Sequence, residues 1–484
     1  MPATDFLILL PHLIVLGLAI LTLAVDSFVR RSPARNATLT ILSLVGYALA
    51  IIAALALNGQ YRSSFAGMAK LDDLAIFLML VVLVAGFLTV FISGTTIPRW
   101  NMPLGEYYAL LAFSVLGGML VASSTDLVMV FVGIELSSLS IFVLAAFAKR
   151  SRESIEGALK YFLLSAFATA ILIYGFAWIY GVTGSTNLSD INLRLAAYRD
   201  HNQPTLLLAA LLIVVGLGFK AAAVPFHMWT PDAYQGAPTP VTAFMSAAPK
   251  ATAFAAFIRV LVQGLEPLRN QWIPLLIALA VLTMAFGNIV AVSQRDVKRM
   301  LAYSSIAHTG YMLVGLAAFQ QIGATDAGIA ALLFYLFAYT FMNVGAFGIV
   351  AWLQAHGGGE TLDDFRGLAA SAPLQAAAMA VFLFSLTGVP PLIGFYAKYY
   401  IIVGAIQAGL TWLAIVVVVL SAVSAFYYLR VVAAMYFGEP EQAPRRVAAR
   451  FMGLGLLVMV AGTFFFGIFS GPILDFARQW YLSL

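Results

Sequence analysis

Three lysines and a glutamate stand inside long apolar stretches, where such side chains either pair or exchange protons. Lys220 follows Gly216-Leu217-Gly218-Phe219, Lys250 lies in Ala247-Ala248-Pro249-Lys250-Ala251, and Lys398 follows Gly394-Phe395-Tyr396-Ala397. Burial weakens the hold of an amine on its proton and a nearby carboxylate strengthens it. A lysine between those effects can load and release protons, whereas arginine stays charged at any accessible pH. Glu135, in Val132-Gly133-Ile134-Glu135-Leu136-Ser137-Ser138-Leu139, must pair, be protonated or face water, because an unpaired carboxylate in hydrocarbon costs several kcal/mol. His308, in Ile306-Ala307-His308-Thr309-Gly310, can bridge lysines, since neutral imidazole both donates and accepts; a helix-packing histidine is the competing reading. His227, behind Pro225, is as suited to bonding a freed carbonyl as to carrying protons. Each lysine alone could be a snorkelling or paired structural charge, but three with a glutamate at intervals suggest a chain of exchange sites.

The elements that hold these groups follow from composition. Of 484 residues, 62% are hydrophobic and 10% charged, whereas soluble domains run at about 45–50% and 25%. Apolar runs of about twenty residues recur from end to end, so the bilayer is the solvent. The absence of cysteine excludes disulfides, iron–sulfur clusters and a cysteine nucleophile on this chain. Its five histidines show no His-x-x-x-His metal spacing. The net charge of +5 comes from basic residues scattered over short loops, which points to membrane topology rather than nucleic acid. Met1 to Val29 carries Asp5 and no basic n-region, so a cleaved signal peptide is not expected. Gly216-Leu217-Gly218-Phe219-Lys220-Ala221 imitates a dinucleotide loop but has no strand before it. His356-Gly357-Gly358-Gly359 imitates an esterase oxyanion loop without the accompanying Gly-x-Ser-x-Gly, and reads as a flexible loop.

Apolar windows of about 18–25 residues predict an all-α polytopic membrane protein of fourteen spans, at 5–29, 36–57, 72–93, 106–124, 126–148, 155–182, 204–224, 239–264, 271–292, 296–319, 326–354, 374–407, 410–437 and 449–470. Alternate loops on one side collect Arg30, Arg31, Arg35, Arg99, Lys149, Arg150, Arg152, Arg295, Lys298, Arg299, Arg366, Arg445, Arg446 and Arg450. Those on the other collect Arg62, Lys70, Arg194, Arg199, Arg269 and Arg478. This bias places both termini outside the cytoplasm. Lys160, Arg259 and Arg430 lie within about two turns of a helix end, close enough to be able to snorkel, whereas Lys250 lies roughly 16 Å into its helix. The seventh span, breaking at Pro225, and the twelfth, breaking at Thr387-Gly388-Val389-Pro390-Pro391, each carry a lysine nearby. They stand five spans apart, as two inverted five-helix repeats over spans 4–8 and 9–13 would require. The resulting division is 1–100, 101–265 for the first repeat, 266–440 for the second, and 441–484.

These stretches resemble the antiporter-like membrane subunits of proton-pumping NADH:quinone oxidoreductase, respiratory complex I. Val224-Pro225-Phe226-His227-Met228-Trp229-Thr230-Pro231-Asp232, Asp296-Val297-Lys298-Arg299-Met300-Leu301-Ala302-Tyr303-Ser304-Ser305 and Pro390-Pro391-Leu392-Ile393-Gly394-Phe395 with Lys398 carry the likeness. Within the family, Gly133-Ile134-Glu135-Leu136 and Glu156-Gly157-Ala158-Leu159-Lys160-Tyr161 look most like subunit N, as does a lysine at 398. The resemblance implies that Glu135 and Lys220 form a modulating pair, that Lys250 is a central relay and Lys398 an outlet-side site, with His308 between the last two. It also implies no cofactor on this chain, since FMN, iron–sulfur clusters and quinone belong to other subunits. Partners would be a neighbouring antiporter-like subunit and small membrane subunits in a bacterial inner membrane. A subunit of a multi-subunit sodium/proton antiporter and a non-transporting membrane scaffold remain as alternatives.

Overall fold

The computed structural model describes residues 8–29, 32–100, 102–198, 203–320, 327–439 and 449–479. Nineteen α-helices occur among them. The first six are α1 (Leu10–Phe28), α2 (Pro33–Ala56), α3 (Asp73–Thr96), α4 (Leu104–Ser123), α5 (Leu127–Ala145) and α6 (Arg152–Thr183). Then come α7 (Leu188–Ala196), α8 (Pro204–Lys220), α9 (Thr230–Gly236), α10 (Thr239–Phe257, continued by a π-helix Ile258–Gly264), α11 (Arg269–Ser293), α12 (Val297–Ala317) and α13 (Ala327–Ala355). The chain closes with α14 (Leu368–Ser371), α15 (Pro373–Thr387), α16 (Ile393–Gln407), α17 (Thr411–Phe437), α18 (Arg450–Ile468) and α19 (Ser470–Arg478). A short antiparallel hairpin, β1 (Arg62–Ser64) with β2 (Ala69–Leu71), interrupts the helices between α2 and α3.

Among the described residues, eleven helical stretches are long and apolar enough to cross a membrane, and Pro204–Lys220 and Pro373–Thr387 are apolar but shorter. The predicted span 374–407 is two helices, α15 and α16, and the predicted span 204–224 stops at Lys220. Left-handed backbone at Ala222 and Gly388 turns the chain off each helix, and Pro225 and Pro390, with no N–H to donate, keep it from resuming. The basic residues Arg30, Arg31, Arg199, Arg445 and Arg446 and both chain ends lie outside the described residues.

Burial ranks the helices. The apolar windows of α10, α13 and α3 are 94%, 89% and 83% buried, against 33–39% in α1, α2, α6, α11, α17 and α18. The first three are therefore the core. The others turn Ile20, Ile52, Phe167, Ile289 and Ile415 outward, to lipid or to neighbouring subunits. Small residues set the closest approaches, as between membrane helices in general. A Cβ on Gly117 of α4 would meet the Gly133 carbonyl of α5 at 2.6 Å, which presses the helix carrying Glu135 onto its neighbour.

Two polar helix starts match across the chain. Asp126 caps α5 by accepting from Val128 N at 2.8 Å, and Asp296 caps α12 by accepting from Arg299 N at 2.6 Å. Each residue also forms an isolated antiparallel bridge, Asp126 with Asn187 and Asp296 with Thr361. Such caps satisfy N–H groups that the first helical turn leaves open.

Arg259 corrects an expectation. It does not snorkel but lies fully buried in the π-helical turn. Its guanidinium meets both Asp72 oxygens at 2.6 and 2.8 Å and donates to the Ala122 carbonyl. Asp72 also caps α3 through Ala75 N at 2.7 Å. The cap, the ion pair and α4 are thus tied at one point, which makes snorkelling unnecessary. Breaking such a pair strands a buried charge at a cost of about 3–5 kcal/mol. Asp72→Asn is therefore expected to lower the thermal unfolding midpoint and yield of the solubilised protein, and pairing it with Arg259→Met should restore most of the loss. An unchanged midpoint in the single variant would refute the structural role.

Candidate functional site

Lys220 ends α8, the first half of the broken seventh span, and its ammonium turns into the bundle. It lies 3.2 Å from Glu135 Oε1, 2.9 Å from Ser165 Oγ and 3.3 Å from Ser138 Oγ. Glu135 also accepts from Thr169 Oγ1 at 2.8 Å. The Lys220 side chain is 6% exposed and that of Glu135 is 23%. The lysine is therefore sealed, and the glutamate keeps a path outward. Placing a cation in the last turn of α8 also suits the helix dipole.

Beyond Lys220 the break frees backbone carbonyls, and side chains take them. Thr309 Oγ1 donates to the Ala221 carbonyl at 2.8 Å. The Lys250 ammonium reaches the same hydroxyl at 2.6 Å and the Ser305 carbonyl besides. Lys250 is 2% exposed, and among the described residues no carboxylate lies within ion-pair distance of it. A buried amine held by neutral acceptors can give up its proton without stranding a partner of opposite charge. Pro249, inside α10, further weakens the helix ladder at this level.

His308 stands between Lys250 and Lys398 in a cage of tyrosines. Its Nε2 lies 3.1 Å from the Tyr428 hydroxyl and its Nδ1 2.7 Å from the Tyr335 hydroxyl. Lys250 Nζ lies 5.9 Å from the Tyr339 ring centre, and that ring lies 5.0 Å from the imidazole. On the other side the imidazole meets the Tyr311 ring at 5.6 Å, and Lys398 Nζ lies 5.0 Å from the same ring. Lys398 Nζ also takes the Thr387 carbonyl at 2.9 Å, an acceptor that the second helix break exposes. The five residues predicted from sequence are thus brought into one line of contacts.

The other histidine and the outer cations behave differently. His227 stands edge-on to Phe286 at 4.5 Å, away from that line. Lys160 is half-exposed and pairs with Glu156 and Asp232, each at 2.8 Å. Arg430 donates to the Val292 carbonyl at 2.9 Å and to that of Gln294, closing the end of α11. Among the described residues, no group of three or more His, Asp or Glu side chains could hold a metal ion.

Sequence reasoning missed Lys298, which it counted as a loop charge. The structure buries it to 1% exposure, because the Gln235 and Ala237 carbonyls at the end of α9 draw it in at 2.9 and 2.8 Å. Glu360 lies 3.5 Å away. The tyrosine cage was missed as well, although Tyr335 and Tyr339 stand four residues apart on one face of an apolar helix, a readable sign. Arg35, also counted as a loop charge, is buried against Asp26.

The architecture is that of a polytopic, antiporter-like membrane protein. The chain matches the family described as "NADH:quinone oxidoreductase/Mrp antiporter, TM" over residues 124–424, and it belongs to that family. A curated relative from Trichlorobacter lovleyi, NADH-quinone oxidoreductase subunit N, is 45% identical over 98% of this chain and 96% of its own length. A chain of respiratory complex I from Thermus thermophilus superimposes with a TM-score of 0.79 at 33% identity, covering 96% of this chain and 99% of that one. A chain of the Mrp complex from Dietzia sp. reaches a TM-score of 0.86 at 21% identity, over 100% of this chain and 98% of the other, a likeness of fold.

Proposed function

We propose that this chain moves protons along Glu135, Lys220, Lys250, His308 and Lys398 as the N-type membrane-arm subunit of a bacterial NADH:quinone oxidoreductase. The observation that carries the reading is the series of contacts from Glu135 to Lys398: Glu135 with Lys220, the adjoining Ala221 carbonyl with Thr309 and Lys250, and the Tyr339 and Tyr311 rings on either side of His308. Likeness to subunit N over nearly the whole of both chains supports that assembly rather than a sodium/proton antiporter. Its partners are the other membrane-arm subunits. Redox chemistry, with FMN, iron–sulfur clusters and quinone, belongs in this reading to other subunits of the complex, and this chain carries no cofactor.

Proton movement along the line follows from the chemistry of each group. The Lys220 ammonium is held by Glu135 and two serines; moving Glu135 away removes the main attraction on its proton. Thr309 links the level of Lys220 to Lys250, and neutral His308 both accepts and donates between tyrosine hydroxyls. Two neighbouring ammonium groups in a low-dielectric interior repel, so loading one site favours release from the next.

Fourteen crossings arise if α8 with α9, α12, and α15 with α16 each count as one span beside the eleven long stretches. The two repeats then run from α4 to α10 and from α11 to α17. Support comes from the equivalent caps and bridges at Asp126 with Asn187 and Asp296 with Thr361. The breaks after Lys220 and Thr387 fall at corresponding places. Inverted repeats of this kind place ion sites at their broken helices. The basic loops, Lys149 and Arg150 among them, are assigned to the cytoplasm and both termini to the periplasm.

His308→Phe tests the relay in the assembled complex. It keeps a ring but leaves the Tyr335 hydroxyl unpaired, at about 1–3 kcal/mol, and removes both exchangeable nitrogens. Proton uptake per NADH oxidised in reconstituted vesicles is expected to fall about tenfold. Pumping at the parental ratio would remove His308 from the path.

A further inference from the structure

A cavity of about 930 Å³ opens on the face that carries Lys149 and Arg150 and ends inward at Lys298, Gln354 and Glu360. Its outer rim holds Glu153, Glu156 and Lys160. The rim carboxylates nearest the interior are already engaged. Asp232 is held by Lys160 at 2.8 Å and Arg299 at 3.0 Å, and Asp296 caps α12 and lies 3.5 Å from the Gln235 amide. Glu360 is different. Its side chain is 25% exposed, 3.5 Å from the buried Lys298, and it accepts from Gln354 Nε2 at 2.5 Å.

Behind Glu360 a polar stripe leads to Lys250. Gln354 Oε1 accepts from Thr239 Oγ1 at 2.6 Å, and Thr239 begins α10. Thr242, Ser246 and Lys250 follow at steps of three, four and four residues, which puts all four on one helix face. Helix α13 runs antiparallel against it, with Gln354 beside Thr239 and the Tyr339 ring beside Lys250. That register sets Asn343 opposite the Ser246 turn. The fully buried Asn343 amide and the Ser305 hydroxyl both approach the Tyr339 hydroxyl, and none of the three closes a direct hydrogen bond. Buried polar atoms of this kind are satisfied by ordered water, which needs two to four such groups to hold it.

We propose that Glu360, seated against Lys298 at the inner end of the cavity, collects the protons that reach Lys250. The inference rests on the relay reading and adds its entry point. Glu360 takes a proton from cavity water and returns to carboxylate by passing it to water held along the Thr239-to-Lys250 face. Lys298 is the positioning charge: anchored by two carbonyls, it sets how readily Glu360 holds its proton. Burial raises the Glu360 pKa, Lys298 opposes that rise, and Asp296 adds to it. No other charged group is in contact with Glu360 among the described residues, and Asp232, which lines the same cavity, is already paired.

The test uses the whole complex in vesicles, with proton uptake measured against NADH oxidation from pH 6 to pH 9. Glu360→Gln should lower uptake at least tenfold, and Glu360→Asp should retain most of it. Removing the Lys298 charge strengthens proton binding at Glu360, so Lys298→Met should carry the alkaline limb of the uptake profile upward by about one unit. Parental uptake in Glu360→Gln, or an unmoved profile in Lys298→Met, would overturn the proposal. A parallel Lys250→Met complex separates the two readings. If that variant is blocked while Glu360→Gln pumps normally, the entry point alone is wrong; if Lys250→Met itself pumps, the relay falls.

Discussion

Replacing Lys250 by methionine is expected to stop proton translocation while leaving the complex assembled. Methionine matches the length of the lysine stem, and nothing of opposite charge is stranded, because the ammonium is held by the Ser305 carbonyl and the Thr309 hydroxyl. Thr309 keeps its bond to the Ala221 carbonyl. Removing an unpaired buried charge is neutral or favourable for stability. Transport is another matter, since a proton moves between groups in hydrogen-bond reach or through one water, and Lys250 is the exchangeable group between the level of Ala221 and the tyrosine cage. Uptake by reconstituted complex should fall by at least a hundredfold, about 2.7 kcal/mol on the transfer barrier. Lys250→Arg makes the test specific. It keeps the positive charge but not the ability to lose it, so it should assemble and still fail. An arginine variant that pumps would show that charge, rather than proton exchange, is what position 250 supplies.

Lys220→Ala is expected to abolish pumping-coupled turnover with comparable assembly. The substitution removes the ammonium that Glu135, Ser138 and Ser165 surround and leaves Glu135 with Thr169 as its donor. Glu135 keeps a partly exposed side chain, so it can be solvated or protonated instead of destabilising the fold. Glu135→Gln should have the smaller effect, because both serines still hold the ammonium and only the charge that modulates it is lost. A double-mutant cycle on uptake rates then reads their coupling, expected at about 0.5–3 kcal/mol for charged groups in contact. If Lys220→Ala prevents assembly and the few complexes that form pump normally, the buried charges are scaffold and the relay reading fails.

These predictions depend on residues that differ in how visible they were. Lys220, Lys250, Lys398, Glu135 and His308 stood out because each is polar in an apolar run, and hydrocarbon makes such a residue costly whatever its neighbours. Prolines 225, 390 and 391 marked the breaks for an equally local reason, the missing N–H. Arg259 and Lys298 misled the reading in opposite ways. The first stood close enough to a helix end to reach water by snorkelling, yet Asp72, far away in sequence, holds it inside. The second was counted with the loop charges, yet the carbonyls at the end of α9 hold it inside. Distance from the end of an apolar run measures depth only when no partner waits in the interior.

By itself, the sequence determined the solvent, the helical class, the places where helices break and the ionisable groups that could exchange protons. Those properties follow from the cost of bare backbone and charge in hydrocarbon, which is levied residue by residue along the chain. Tertiary structure alone decided which groups meet: Lys220 with Glu135 and Ser165, Lys250 with Thr309, His308 with its tyrosines, and Glu360 with Lys298. Those contacts join helices far apart in the chain, and hydrogen bonding acts over about 3 Å of space, whatever the separation in sequence.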